Sequence, residues 1–157
     1  MTREEKFMQE AIALSRSGIN NNEGGPFGCV IVKGEEIVGR GNNKVTSSND
    51  PTAHAEVVAI RDACKNLGTF QLDDCEVYTS CEPCPMCLGA IYWARPKVIY
   101  YANNRLDAAD AGFDDSMIYD EMAATIEQRK IPIKVLGREN AIKVFEEWKQ
   151  KTDKTAY

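Results

Sequence analysis

The chain lacks the features that would assign it to a membrane, to a secretory route or to a nucleic acid. No apolar run in its 157 residues approaches the length of about 20 residues that spans a bilayer. Residues 1–6 lead into an amphipathic pattern and not into an apolar stretch, so we expect no signal peptide. Basic residues are in deficit, 19 against 24 acidic ones, and the formal net charge is -5. Because proteins that bind a nucleic-acid backbone usually carry a basic patch, we expect a small-molecule partner, no nucleic acid and no membrane.

Cysteine occurs six times, but not in the pattern of a disulfide framework. A chain of this length buries a core without disulfides, and residues 1–157 are predicted to form a single domain without repeats. In the absence of an export signal, a reducing cytoplasm fits the thiols better than an oxidising compartment. Two cysteines have metal-ligand spacing, and no function is predicted for the other four: Cys29, Cys64, Cys75 and Cys81.

Histidine occurs once, and its surroundings are the most informative part of the sequence. Glu56 follows His54 by two positions, and about thirty residues further on Pro83 precedes Cys84 and Cys87. This is the H-x-E…P-C-x-x-C signature of zinc-dependent deaminases. Structural zinc sites are usually closed by four protein ligands, whereas catalytic sites keep one position for water. One imidazole and two thiolates therefore predict a catalytic zinc, with the Glu56 carboxylate as the proton shuttle.

Cys81 leaves an alternative from a different functional class, because Cys81, Cys84 and Cys87 are equally spaced. An iron–sulfur run would need a fourth cysteine beside a proline shortly afterwards, and no cysteine follows Cys87. A non-enzymatic zinc module would close its site with His54 and all three cysteines. We interpret Cys81 as a buried small residue, which keeps the fourth zinc position open.

The apolar pattern predicts strands that alternate with helices, which is typical of an α/β sandwich with helices on both faces of a mixed sheet. The predicted elements are a helix over 3–17 stopped at Gly18, a hairpin of 27–32 and 37–42, a helix from Asp50–Pro51 to Gly68, a strand over 76–79, a helix over 84–94, a buried strand over 98–101, a polar loop over 103–116, an edge strand over 131–136 and a helix over 139–149. In the last helix, Ala141, Val144, Phe145 and Trp148 are expected to face inward.

Four segments extend the match beyond a motif. Residues 25–28, 49–56, 79–95 and 107–116 resemble the short bacterial guanine deaminases of the cytidine-deaminase-like superfamily. The resemblance covers nearly the whole chain and is weakest after about Met122. It implies a three-layer α/β/α sandwich with a five-stranded mixed sheet. It also implies one zinc ion per subunit and hydrolytic deamination of guanine to xanthine and ammonia, a step of purine catabolism or salvage.

The resemblance also implies residue roles and a dimer. Its implied assignments are His54, Cys84 and Cys87 for zinc, Glu56 for proton transfer, Asn43 and the backbone amide of Ala55 for purine contacts, Phe27 and Trp93 for packing on the base, and Asp115 for the guanine edge. The family is dimeric, with its C-terminal segment, here about residues 138–157, exchanged between subunits. Tyr157 would then close the partner's pocket.

Hydrogen-bond polarity supports guanine over the other bases. Guanine presents N1–H and its exocyclic amine as adjacent donors, and a carboxylate such as that of Asp115 only accepts. Adenine and cytosine offer an acceptor next to their amine and would face Asp115 badly. A tRNA adenosine deaminase remains the main alternative because it shares both motifs, followed by a cytosine nucleoside or nucleotide deaminase.

Plain structural roles remain open for the substrate residues. Asp115 could cap a helix beginning near Ser116, and Asn43 could shape the end of the hairpin. Trp93 could belong to the core, and Tyr157 could be a frayed terminus.

Overall fold

A mixed four-stranded sheet with helices on both faces forms the first part of the chain. The computed structural model describes all residues, 1–157. Its elements in chain order are α1 Arg3–Asn20, β1 Gly28–Lys33, β2 Glu36–Asn42, α2 Val45–Ser48, α3 Ala55–Leu67, β3 Cys75–Cys81, α4 Pro85–Ala94, β4 Val98–Asn103, α5 Arg105–Asp110, α6 Ser116–Ala123, a 3-10 turn Ile126–Gln128 and α7 Arg138–Gln150. The strand order is β2-β1-β3-β4, with β1 antiparallel to β2 and β3, and β4 parallel to β3. None of the helices combines the length and the apolar character that crossing a membrane requires.

The chain divides into two compact units. The first unit is Met1–Asp115 and contains the whole sheet, and the second unit is Ser116–Tyr157.

Alternate residues of β1 pack on opposite faces of the sheet, as the period of a strand requires. Cys29 and Ile31 belong to one core cluster with Ala59 of α3. Val30 and Val32 belong to a second cluster with Ala11 of α1. The helices α1 and α3 therefore cover opposite faces, and α4 joins the α3 side. This arrangement confirms the predicted α/β sandwich with a mixed sheet.

Two glycines of β2 bring α3 close to the sheet. A Cβ atom at Gly39 would lie 2.5 Å from the carbonyl oxygen of Ala59, and one at Gly41 would clash with the carbonyl oxygen of Ala55. Because real Cβ contacts are never so short, only glycine allows this approach. The start of α3, where His54 and Glu56 lie, is thereby held against the end of the hairpin.

The five-stranded sheet was a wrong prediction, because the sheet has four strands. Residues 131–136 form no strand, and Ile131 and Leu136 are 79% and 95% exposed. Pro132 has no amide hydrogen to donate, and the second unit contains no other strand for this segment to pair with. The strand predicted over 98–101 does exist as β4, but it is an edge strand and Tyr101 is 52% exposed.

The positions of helices differ from the predictions at three further places. Helix α1 continues through Gly18, which is buried against Asn42. Helix α3 begins at Ala55, because Asp50 accepts hydrogen bonds from the amide and hydroxyl of Thr52 in a turn that precedes the helix. The predicted loop 103–116 contains α5, whose first turn is closed by a capping box.

The inward face predicted for the last helix was also wrong. In α7, Val144, Phe145 and Trp148 are 60%, 67% and 44% exposed. No residue of Ser116–Tyr157 is buried. The apolar stripe exists at helical spacing, but this chain does not bury it.

Candidate metal centre

Two helices of the first unit begin at the metal-ligand candidates. His54 is the N-cap residue of α3 and Cys84 is the N-cap residue of α4. Both have extended backbone angles, and neither side chain caps its own helix, so the ring and the thiol are free to turn elsewhere. Pro85 occupies the first turn of α4, where its missing amide hydrogen costs nothing. The positive end of the α4 dipole thus lies beside the thiol of Cys84 and favours its ionised form.

The three predicted ligands come together. The Nδ1 atom of His54 lies 3.5 Å from Sγ of Cys84 and 3.4 Å from Sγ of Cys87. All three ligand atoms lie within 4.8 Å of one another. A tetrahedral zinc with ordinary bond lengths would hold a nitrogen and a sulfur ligand about 3.5 Å apart. The donor set and its spacing therefore fit zinc, with one coordination position left for a non-protein ligand.

Cys81 is not part of this cluster. It is 5% exposed, and its Sγ lies 3.8 Å from the carbonyl oxygen of Asn104. Burial raises the pKa of the Cys81 thiol to about 11, which keeps it protonated. The closed site of a non-enzymatic zinc module is therefore absent.

The three ligand candidates shift one another's pKa values. A hydrogen bond with Cys87, followed by one with His54, lowers the pKa of Cys84 to about 4. The same bond to Cys84, together with burial, raises the pKa of Cys87. The hydrogen bond with Cys84 also raises the pKa of the His54 ring. Zinc binds thiolates and neutral imidazole, so its binding would displace these protons.

Glu56 lies in the first turn of α3 and is 6% exposed. Burial is the main cause that raises its pKa, and hydrogen bonds with Cys87 and Thr79 oppose the rise. Glu56 lies two residues after the ligand candidate His54, and its Oε1 accepts a hydrogen bond from Oγ1 of Thr79 at 3.1 Å. A carboxyl with a raised pKa suits a group that takes up and returns a proton.

Asn43 follows β2 and is 6% exposed. Its Oδ1 atom accepts hydrogen bonds from the amides of Gly25 at 3.2 Å and Val45 at 3.1 Å. These bonds fix the orientation of the side-chain amide, and they leave its Nδ2 group to donate. Ala55 is fully buried at the first position of α3, where a backbone N–H has no partner within the helix.

An aromatic pair includes one residue that the sequence analysis missed. The ring of Phe27, half-buried before β1, meets the ring of Phe113 edge-on, with the centroids 4.9 Å apart and the planes at 86°. Phe113 follows Gly112, whose φ of 96° is readily adopted only by glycine. A single aromatic residue in an otherwise polar loop was the available signal.

Asp115 closes the same loop and is half-buried. Burial raises its pKa, and the charge of Cys84 raises it further, while Arg105 opposes the rise.

The other two predicted substrate residues are largely exposed. Trp93 of α4 is 64% exposed, so the alternative of a core role is wrong for this residue. Tyr157 belongs to the second unit and is 74% exposed. Their contacts with substrate stay predictions.

The sequence pattern of the cytidine and deoxycytidylate deaminase zinc-binding region matches residues 1–103, which include all three ligand candidates and Glu56. This chain belongs to that deaminase family. The members of the family most similar to the chain in sequence include the guanine deaminase of Bacillus subtilis, which is 56% identical over 98% of both chains. Its crystal structure matches the present one with a TM-score of 0.95 over 98% of both chains.

Two further matches cover a smaller part of the chain. A guanine deaminase from Nitrosomonas europaea is 31% identical, with a TM-score of 0.66 over 69% of this chain and 63% of that one. A tRNA-specific adenosine deaminase of Streptococcus pyogenes serotype M18 is 46% identical over 63% of this chain and 62% of that one. The resemblance to guanine deaminases that the sequence motifs indicated is thus confirmed.

Proposed function

We propose that this chain is a zinc-dependent aminohydrolase that converts guanine and water to xanthine and ammonia. The observation that carries the proposal is full-length similarity: the match to a guanine deaminase covers 98% of both chains, whereas the match to a tRNA-specific adenosine deaminase covers 63%. The H-x-E and C-x-x-C geometry supports the reaction type, because three protein ligands leave one position for water.

His54, Cys84 and Cys87 would hold one zinc ion per subunit. When bound there, zinc would lower the pKa of a water molecule towards about 7 and so supply hydroxide at neutral pH.

Glu56 moves the protons of the reaction. Its carboxylate takes a proton from the attacking water and delivers it to ring N3 of guanine, which makes C2 electrophilic. The oxygen then bonds to C2, and Glu56 carries the remaining hydroxyl proton to the amino group. The C2–N bond breaks, ammonia leaves, and C2 becomes the carbonyl carbon of xanthine. The buried position of Glu56 beside Cys87 supports this role.

Substrate recognition rests on complementary donors and acceptors. The Asp115 carboxylate accepts from N1–H and the exocyclic amine, and so binds the edge that undergoes reaction. Nδ2 of Asn43 and the backbone amide of Ala55 donate to acceptor atoms of the purine. Phe27 and Trp93 pack on the base.

We further infer that the chain acts as a single-domain subunit of a homodimer that exchanges residues of about 138–157, with Tyr157 closing the partner's pocket. The support is the uncovered apolar stripe of α7, where Val144 and Phe145 are 60% and 67% exposed. Surface helices normally bury such a stripe, and a second copy of the chain is the occupant we propose. The six free thiols suit a reducing cytoplasm, where the enzyme would serve purine catabolism or salvage.

A substrate panel tests the proposal. The purified chain, loaded with zinc, is supplied with guanine, adenine, cytosine, their nucleosides and a tRNA anticodon stem, and ammonia release is measured. Guanine should be turned over far faster than the others. Preference for the anticodon stem would instead make the chain a tRNA adenosine deaminase. Preference for a cytosine compound would make it a cytosine nucleoside or nucleotide deaminase.

A further inference from the structure

Thr79 is a buried polar residue beside the carboxyl of Glu56. It lies on β3 and is 1% exposed. Its Oγ1 atom is 3.1 Å from Oε1 of Glu56 and 3.1 Å from the carbonyl oxygen of Cys81. An ionised carboxylate and a carbonyl only accept, so the single hydroxyl proton of Thr79 is donated to one of these two oxygens.

The position of Thr79 in the sheet explains this contact. Val77 belongs to the core cluster on the α3 face, and Tyr78 to the cluster on the α1 face. Since strand residues alternate, Thr79 shares the α3 face with Val77. Opposite Thr79 in the register lies Cys29, which is fully buried. Valine has nearly the same shape as threonine and would suit this apolar layer, but it could not donate a hydrogen bond to the carboxyl of Glu56.

The carboxyl of Glu56 needs such a partner to stay in place. A glutamate side chain has several rotatable bonds, and each one left free costs entropy when a reaction requires one arrangement. Thr79 supplies such a partner through its 3.1 Å hydrogen bond with Oε1. Because Thr79 engages Oε1, we assign Oε2 to the attacking water and the purine.

We propose that Thr79 is a positioning residue of the deamination, whose hydroxyl fixes Oε1 of Glu56 so that Oε2 stays directed at the reacting atoms. This inference rests on the proposed function, since it acts through the role given to Glu56. The competing explanation is structural: the hydroxyl serves only the carbonyl oxygen of Cys81. In that case its loss would lower stability and leave the chemical step unchanged.

Thr79→Val and Thr79→Ser separate the two explanations in the zinc-loaded dimer or monomer as purified. Thr79→Val keeps the shape and removes the hydroxyl, so kcat for guanine should fall by about 10- to 100-fold while KM changes by less than about threefold. Thr79→Ser keeps the hydroxyl and should stay within about fivefold of the parent kcat. Zinc content, measured by mass spectrometry, should be unchanged in both. Thr69→Val makes the same change at an exposed loop threonine and should leave all values unchanged.

A double-mutant cycle with Glu56→Gln tests whether Thr79 acts through Glu56. If it does, adding Thr79→Val to Glu56→Gln should lower the residual rate by less than about twofold, because the carboxyl that Thr79 positions is no longer there to carry protons. Equal losses in both backgrounds, or a Thr79→Val enzyme within twofold of the parent kcat, would overturn the inference. If Thr79→Val does not fold, Thr79→Ala against Thr79→Ser gives the same decision, since only the serine keeps the hydroxyl.

Failure of the proposed function gives a different pattern. A parent chain that deaminates another base in preference to guanine refutes the guanine assignment, and the Thr79 comparison is then made on that base. A parent chain that holds zinc and releases ammonia from no compound in the panel overturns the deaminase proposal and this inference together.

Discussion

The two units of the chain differ sharply in how they use their apolar residues. All the buried hydrophobic residues lie in Met1–Asp115, between Ala11 and Ala94. The unit Ser116–Tyr157 buries none, although Leu136 and Phe145 are as apolar as residues of the core. The first unit contains the sheet, its core and the three metal-ligand candidates. The second unit exposes its apolar residues, and we have proposed a second copy of the chain as the partner that covers them.

The largest effect should come from the proton shuttle of the first unit. Glu56→Gln keeps the shape of the side chain but removes the group that carries protons, so kcat should fall by at least about 10³-fold. Zinc content should stay at one per chain, because Glu56 is not a ligand candidate. Ammonia release and metal analysis of the same preparation measure both. A variant with more than a tenth of the parent activity would remove Glu56 from the mechanism.

The next effect tests the end of the first unit, where Asp115 lies. Asp115→Asn puts a donor where guanine presents donors, so kcat/KM for guanine should fall by about 100-fold or more. Asp114→Asn is the matched control, with the same change of charge one residue earlier, and a loss of less than about tenfold is expected there. If guanine turnover in Asp115→Asn survives within a few-fold, the recognition argument is wrong.

A shortened chain tests the contribution of the second unit. A chain ending at Lys151 lacks Tyr157 and should lose activity by about tenfold or more while keeping its zinc. A sharper measurement is the activity of this shortened chain after mixing with the 157-residue Glu56→Gln variant. If tails are exchanged, a mixed dimer combines the Glu56 of the shortened chain with the tail of the other subunit, and ammonia release should reappear. Full activity of the shortened chain by itself would make the tail dispensable.

A smaller effect concerns the packing of α3 on the sheet. Gly41→Ala places a methyl group against the backbone carbonyl of Ala55, so the free energy of unfolding should fall by about 1 to 3 kcal/mol. Because Ala55 adjoins His54 and Glu56, zinc affinity should fall as well. Gly89→Ala in α4 is the control, since nothing lies within 4 Å of its added atom. Denaturant unfolding and zinc titration are the measurements, and equal behaviour of the two variants would contradict the packing argument.

The smallest effect is an acid sensitivity at Glu76, near the start of β3 in the first unit. Burial acts to raise the pKa of Glu76, but hydrogen bonds from Tyr78 and Arg3 and the ion pair with Lys97 outweigh it, so its pKa is lowered. A lowered folded pKa contributes stability above the unfolded value of 4.5, and this contribution is lost as the pH falls through the folded pKa. The gap in unfolding free energy between the parent and Glu76→Gln should therefore shrink below pH 4.5, by less than about 2 kcal/mol. If the difference in unfolding free energy between the two proteins does not change with pH, Glu76 does not contribute to the acid sensitivity.

The metal-ligand candidates could be predicted from the sequence, whereas some helix boundaries and contacts could not. The ligands His54, Cys84 and Cys87 were predictable because the chemistry of zinc restricts both residue types and their spacing. Asp50 was a poor guide to the start of α3, because its side chain satisfies a local turn at Thr52. Helical periodicity located α7, but a periodic stripe does not say what covers it.

Phe113 and Thr79 were missed for a related reason. A phenylalanine in a polar loop and a threonine in a strand are ordinary in sequence, and β-branched residues are common in strands in any case. Their significance lies in contacts with Phe27 and Glu56, which are 86 and 23 positions away in the chain.

The amino-acid sequence by itself determined the metal chemistry, the alternation of helices and strands and the family, because each depends on residue type and on spacing along the chain. The tertiary structure alone decided which side chains lie together around His54, that the sheet ends at four strands and that the apolar stripe of α7 lies exposed. These properties depend on distances between segments far apart in the chain, and those distances are set by packing. His54 illustrates both contributions. Its neighbours in sequence predict a zinc ligand, and its position at the start of α3 places its Nδ1 atom 3.5 Å from Sγ of Cys84.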